Sequence, residues 1–486
     1  MLDENFQVLA ITISVLMIIS VAVSRASTSY GVPALLLFLG VGMLAGSEGP
    51  GGVDFSNYNL SFLVGSYSLA FILFDGGLRT SWNSIRPILK IGVSLASLGV
   101  ILTAVFVALF CHYILSMSWL EASLLGSIVS STDAAAVFST LRSQRLSLKG
   151  GLREVLEFEA GSNDPTAIFL TLSVLMFFQM PDTGVLGFVQ HFLLQAILGL
   201  ALGFSGGKLI VLAVNKFKIS SDGLYSVLIV GSMLFVFSLT NLLQGSGFLA
   251  VYVAGVIVGN SSLLRKTSIL LFHDGVAWIA QIVLFLTLGL LVFPSHLLGV
   301  LREGIILCLF MMLIARPLSV FISTLPFRMK FRHQIFISWI GLRGAAPIIL
   351  AILPMSVNFP NAEYFFNLVF FIVISSVLLQ GFSIPWLAKK LDVTEEMGEQ
   401  DQDNLTFLPQ GFFHYEFEIF EQTKAAQKNV VELNLPAGVL LVSLERNGRF
   451  MLPRGETVLL PEDRIKALAR PSNLTKLEEI FGKRLS

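Results

Sequence analysis

Apolar runs of roughly 17–25 residues, the length a helix needs to cross a bilayer, alternate with short polar junctions over the first 390 residues. About thirteen such runs recur between residues 6 and 388, which predicts an α-helical polytopic membrane domain over residues 1–390. The first run, 6–24, follows Asp3 and Glu4 without a basic leader or a small-residue cleavage site, so it reads as a span and not as a removed signal peptide. After Lys390 the pattern changes. Residues 391–410 are polar and acidic (Glu395, Glu396, Glu399, Asp401) and read as a linker. Over residues 411–486, β-like runs at 415–420, 439–444 and 457–460 are separated by Pro/Gly turns, and 474–481 has helical spacing. A small α+β domain is expected there.

Composition agrees with the pattern. Hydrophobic residues make up 54% of the 486 and charged residues 13%, with a mean hydropathy of +0.79, whereas soluble domains carry roughly 25% charged residues. A soluble fold could not hide that much apolar surface. Lys+Arg 32 equals Asp+Glu 32, so overall charge offers nothing to nucleic acid. Its distribution carries more. Arg25, Arg79/Arg86/Lys90, Arg142/Arg145/Lys149/Arg153, Lys208/Lys216/Lys218, Arg265/Lys266, Arg328/Lys330/Arg332 and Lys389/Lys390 fall at every second junction, and the junctions between carry none. Arg302, which can cap a helix near the outer surface, and Arg316 and Arg343, within apolar segments, escape the pattern. Positive charge marks cytoplasmic loops, so the N-terminus is expected outside, the C-terminal domain in the cytoplasm, and the number of spans odd. Cys111 and Cys308 each sit in an apolar run without metal-site spacing and read as core thiols.

An ionised side chain at the bilayer centre costs roughly 3 kcal/mol or more, so each one asks for a function. Asp75, at the inner end of the third span, is either a solvated end residue or a site residue. In the fifth span, Ser130-Ser131-Thr132-Asp133-Ala134-Ala135-Ala136 suits a locally unwound helix whose free carbonyls can hold a cation. Small residues would equally suit a packing face, but packing needs no carboxylate. At the entry of the sixth span, which also holds Glu154, the residues Glu157 and Asp164 are seven apart and Glu159 and Asn163 four apart, so these four can face one helical side. Glu154 and Glu157 are explained equally well as partners of the basic loop. Asp164 lies deeper, and Pro165 removes a backbone donor beside it. A carboxylate taken out of water can alternate between a proton and a cation near neutral pH, which is the chemistry of an antiporter. Arg316, and Arg343 within Gly341-Leu342-Arg343-Gly344-Ala345-Ala346-Pro347, mark the eleventh and twelfth spans. Breaks in the fifth and twelfth spans are seven spans apart, as an inverted repeat places them, and Asp133 and Arg343 could compensate the half-helix dipoles.

Thr132-Asp133, Asn163-Asp164 with Glu159 five residues earlier, ARPLSV from Ala315 and GLRGAAPI from Gly341 resemble the monovalent cation:proton antiporter-1 family. FEAGSNDP from Phe158 and the tail from Asn434 to Ala469 are similar to its bacterial NhaP-type potassium/proton branch with a TrkA-C (RCK-C) domain. That resemblance implies thirteen spans, a scaffold that forms a homodimer, and a mobile core carrying the site. It implies that Asp164 is the proton/cation carboxylate supported by Asn163, and that Thr132 and Asp133 stand at the crossing of the unwound helices. It further implies a Glu159–Arg316 pair, Arg343 at the other break, and Asp75 as the acidic residue of the third-span motif. Sodium-selective relatives often have Ser directly after the matching Glu. This chain has Ala160, so a ligating hydroxyl is missing or moved to Ser162.

The resulting expectation is a non-enzymatic secondary antiporter of a bacterial inner membrane. It exchanges K+, with Na+ as a second candidate cargo, for H+ by electroneutral alternating access in pH homeostasis. No cofactor is expected, and any ligand of the TrkA-C-like domain is unidentified. A Na+/H+ antiporter of the same fold, a ligand-gated cation channel and a membrane receptor remain as alternatives. The channel reading lacks a filter-like segment, and the receptor reading leaves the intramembrane charges unexplained.

Overall fold

A computed structural model describes residues 4–30, 34–134, 137–138, 140–141, 144, 146–180, 184–217, 219, 221–396, 413–446, 449–470 and 473–482. Ala135, Ala136, the loop cations Arg142, Arg145 and Lys218, and the linker from residue 397 to 410 lie outside the described residues. The chain forms two compact units, Met1–Glu395 and Glu396–Ser486.

In the first unit the apolar runs become helices because lipid offers no partner to a backbone N–H or C=O, and a helix satisfies its own. The elements are α1 (Glu4–Tyr30), α2 (Ala34–Ala45), α3 (Tyr58–Arg79), α4 (Leu89–Tyr113), α5 (Trp119–Ile128), α6 (Leu152–Gln179) and α7 (Gly184–Lys216). They continue with α8 (Asp222–Leu242), α9 (Gly247–Gly259), α10 (Lys266–Leu290), α11 (Leu301–Phe327), α12 (Phe331–Trp339), α13 (Ala345–Ser356) and α14 (Ala362–Lys390). Among the described residues, seven of these are long and apolar enough to cross a bilayer, and four shorter apolar helices accompany them. Helix α6 stands apart, because its acidic stretch dilutes an otherwise apolar span.

One order of parts occurs twice. Helix α4 contains a π-helical turn at Leu95–Gly99, α5 then stops inside the unit, and the long α6 follows. Helix α11 contains a π-helical turn at Met311–Ala315, α12 breaks before α13, and the long α14 follows. The two series touch: the Ser94 hydroxyl donates to the Ser323 carbonyl at 2.7 Å. Elsewhere glycines let backbones meet. A Cβ on Gly289 of α10 would come within 2.8 Å of the Gly42 Cα on α2 and would strike the Leu39 carbonyl. Close approach of this kind supplies the dispersion that replaces the hydrophobic effect inside lipid. Leu186, Ile197, Leu212 and Leu242 are exposed apolar side chains on α7 and α8, as a lipid-facing surface requires.

The second unit is a four-stranded antiparallel sheet of β1 (Phe413–Glu418), β2 (Leu440–Arg446), β3 (Arg449–Met451) and β4 (Arg464–Ala469), in the order β1-β4-β2-β3. The helix α15 (Leu474–Phe481) buries Leu477 and Phe481, with Phe481 5.4 Å from the Phe417 ring. The central strand β4 was not anticipated, since its Arg464 and Lys466 make RIKALA read as polar. Residues 457–460, expected as a strand, contribute only a bridge between Val458 and Asn429. Arg446 closes this unit with two 2.7 Å bonds to the buried Asp463, and those bonds raise the guanidinium pKa above its ordinary value.

Gly289→Val should lower the melting midpoint in detergent, by a stability loss of about 1–3 kcal/mol for overpacking. Gly275→Ala on the same helix meets no atom within 4 Å and should melt like the parent. Equal midpoints for all three proteins would show that the α2–α10 approach contributes nothing.

Candidate functional site

Helix α5 begins on a reciprocal cap, in which Ser118 and Glu121 satisfy each other's backbone N–H. It ends at Ile128, and residues 131–134 have no regular secondary structure. Ser130, Ser131 and Thr132 offer hydroxyls that compete with helical backbone bonds, which favours a break here. On the other side, α12 ends at Trp339 and residues 341–344 have no regular secondary structure before α13 starts at Ala345. The two segments cross. The Asp133 N–H donates to the Leu342 carbonyl at 2.8 Å.

Each break presents its charge to the other. Arg343, only 2% exposed, donates from Nη1 to the Ser131 carbonyl at 2.6 Å, beyond the C-terminal end of α5. A cation is favoured at that end of a helix. The Ser376 hydroxyl of α14 accepts the Arg343 N–H at 3.2 Å. The Asp133 carboxylate lies against Gly344, the residue preceding α13, so closely that a Cβ at Gly344 would collide with it. An anion is favoured at that end.

Helix α6 passes beside the crossing. Asn163, fully buried, donates from Nδ2 to Thr132 Oγ1 at 2.6 Å and to the Thr132 carbonyl at 3.1 Å. Its Oδ1 is buried without a hydrogen-bond partner among the described residues. The next residue, Asp164, directs its carboxylate toward Ser131 and Asp133. Pro165 lies inside α6 and has no N–H to bond the Gly161 carbonyl one turn earlier. The crossing therefore gathers carboxylate, hydroxyl, amide and carbonyl oxygens, the hard donors that a monovalent cation takes in place of water.

Four residues before Asn163, Glu159 accepts a hydrogen bond from Arg316 Nη2. Both side chains are 2% exposed. Arg316 directly follows the π turn of α11, so the pair ties the second series of helices to α6. Asp75 lies in a different cluster: Arg79 bonds it at 2.7 Å and also pairs with Asp274 of α10. Ser162, with Pro165 and Thr166, lines a cavity of about 680 Å³ between α4, α6, α7 and α9. Thr132, Asp133, Asn163, Asp164 and Arg343 thus meet at one crossing, Glu159 and Arg316 brace it, and Asp75 and Ser162 face elsewhere. Sequence reasoning missed Ser376 as a partner of Arg343. It also missed Tyr252 of α9, whose ring packs on Gly161 so tightly that a Cβ there would sit 2.7 Å from Cε2. A lone Tyr in an apolar run carries no signal of such a contact.

The chain is similar to known proteins. The family model for the transmembrane sodium/hydrogen exchanger matches residues 11–390, and that for the TrkA-C domain matches 414–482. The chain is 38% identical to the K(+)/H(+) antiporter NhaP of Alkalimonas amylolytica over 99% of its own length and 84% of that protein. It is 38% identical to K(+)/H(+) antiporter NhaP2 of Shewanella sp. (strain ANA-3), over 96% of this chain and 81% of that one. It is 26% identical to the Na(+)/H(+) antiporter NhaS2 of Synechocystis over 68% of this chain and 62% of that one. The solved structure of the sodium proton antiporter MjNhaP1 from Methanocaldococcus jannaschii has the same fold, with a TM-score of 0.70 at 20% identity. That match covers 79% of this chain and 99% of that one.

Glu159→Gln leaves the Arg316 cation buried without its counter-charge and should cost about 3–5 kcal/mol of stability. Adding Arg316→Met should return much of that loss, since a buried pair replaced by apolar volume is often tolerated. Thermal melting in detergent reads both variants. A single variant as stable as the parent would show that the pair does not hold α6 to α11.

Proposed function

The chain belongs to the sodium/hydrogen exchanger family, and from that premise we propose that it exchanges K+ for H+ one for one, with Asp164 as the shared site. The observation that carries this reading is the placement of one carboxylate, Asp164, beside two interrupted spans whose own charges, Asp133 and Arg343, are engaged at the opposite break. On the side where protons are abundant Asp164 is protonated. On the other side it releases the proton, and K+ takes its place among the oxygens of Thr132, Asn163 and the unwound backbone. Either occupant cancels a single negative charge, so each half-cycle carries one positive charge and the exchange is electroneutral.

K+ is favoured as cargo because the relatives of nearly full-length similarity are named for it, and because Ala160 provides no hydroxyl directly after Glu159. Na+ is the cargo named for the more distant relative, and transport measurements distinguish the two. The family likeness also favours a scaffold that forms a homodimer and a mobile core, carrying the crossing, that moves against it. The alternation of basic junctions favours an inner-membrane orientation with the N-terminus outside and the TrkA-C domain in the cytoplasm. There a bound solute would bias the inward- or outward-facing state by differential affinity.

In everted vesicles, K+ should collapse a preformed pH gradient more effectively than Na+ or Li+. Asp164→Asn, which keeps the shape and removes the titrating charge, should abolish the response while the protein still inserts and melts as a folded species. Exchange retained by that variant would remove Asp164 from the site, and a response to Na+ alone would make the cargo sodium.

Ending the chain after Gln400 should leave exchange intact and shift its dependence on pH or cytoplasmic solute. Identical pH profiles for the long and short proteins at equal amounts would refute control by the TrkA-C domain. Complete loss of exchange in a folded protein would place that domain within the transport cycle.

A further inference from the structure

The cavity that Ser162 borders is chemically two-ended. Val93 of α4 and Leu200 and Phe204 of α7 form one wall, and they are 48%, 52% and 57% exposed. All three stand inside membrane-spanning helices, which puts this side of the cavity at the depth of the hydrocarbon. Phe158, Phe169 and Leu249 continue the apolar surface inward. The other end holds Lys208, the only charged side chain of the lining among the described residues, together with Trp82 and Asn260. The Trp82 backbone N–H donates to Asn260 Oδ1 at 2.7 Å, which fixes that rim. Lys208 Nζ rests 5.8 Å from the centre of the Phe204 ring, so the cation stands over the apolar wall itself.

A route built for a cation gains nothing from a lone ammonium beside apolar walls, because like charges repel most where the dielectric is low. The same arrangement suits a molecule with one long apolar arm and one negative head. The volume lies within the ordinary range of ligand sites. A Trp at the polar rim and a Lys that attracts an anionic headgroup are the side chains that membrane interfaces favour.

We propose that this cavity is a binding site for one anionic phospholipid, its phosphate held at Lys208 and one acyl chain laid between α6, α7 and α9. The chain would lie against Pro165 and Thr166, which directly follow Asp164 in α6. The lipid thus sits between the helix of the ion site and the helices it faces. The assignment stands on the cavity and does not depend on which cation is exchanged.

The test uses the full-length protein in phosphatidylcholine vesicles. Emission from Trp82 is read as the difference between the parent and Trp82→Phe, and lipids brominated on the acyl carbons nearest the glycerol, just below the headgroup, quench an indole at the polar rim that they touch. Brominated phosphatidylglycerol should quench the Trp82 component at about fivefold lower mole fraction than brominated phosphatidylcholine, the attraction that one Lys gives an anionic lipid. Lys208→Gln should remove the preference, and Lys208→Arg should keep it. Soluble glycerol phosphate should not relieve the quenching. Equal quenching by both lipids, or a preference that survives Lys208→Gln, would reduce the cavity to ordinary contact with surrounding lipid. Relief by glycerol phosphate would make it a site for free anions. No quenching by either lipid would mean that another part of the protein or a second copy closes the mouth. Each of these results overturns the proposal.

Discussion

Breaking a helix inside a membrane releases backbone groups that lipid cannot satisfy, and this structure solves the problem by making two breaks answer each other. The Asp133 N–H finds the Leu342 carbonyl, and the Ser131 carbonyl finds Arg343. Neither interruption would be tolerable alone, since unbonded backbone groups in hydrocarbon cost several kcal/mol each. The crossing explains why Gly344 must lack a side chain. It also explains why opposite charges stand at matching places in spans far apart in sequence.

The rest of the membrane unit supports that crossing. Helix α6 presents Asn163 to the unwound segment at Thr132 and, one turn earlier, Glu159 to Arg316. One helix face therefore fixes both the unwound backbone and the second helix series. Burying an ion pair is costly, and it persists here because its partners come from helices that must keep their relative position. The π turns just before Val100 and Arg316 are local insertions of a kind often found near functional sites.

The sequence made much of this legible. The span pattern was carried by the length of apolar runs, and the breaks by Ser, Thr, Gly and Pro in places where a span should be uniform. Asp133, Glu159, Asp164, Arg316 and Arg343 stood out because charge in an apolar run has no ordinary explanation. The π turns were not visible, since Leu95–Gly99 and Met311–Ala315 have no composition that separates them from α-helix. Ser376 and Tyr252 were hidden for a different reason. Their roles come from contacts with residues far along the chain, and a single Ser or Tyr in a span has many equally good uses. In the tail, β4 was missed because its charged residues face water while Ile465, Ala467 and Ala469 are buried.

The charges near the crossing set a limit on what can occupy it. Glu159, Asp133, Asp164, Arg316 and Arg343 are gathered at and around the crossing, three formal negatives and two positives. In the exchange proposed above, a proton or a singly charged ion at Asp164 brings this set to neutrality. Ca2+ or Mg2+ would leave a surplus positive charge in the membrane interior, a penalty of about 3 kcal/mol and more, or over a hundredfold in occupancy. In that exchange valence would be discriminated by charge balance around the site, without any need for a cavity measured to the ion's radius.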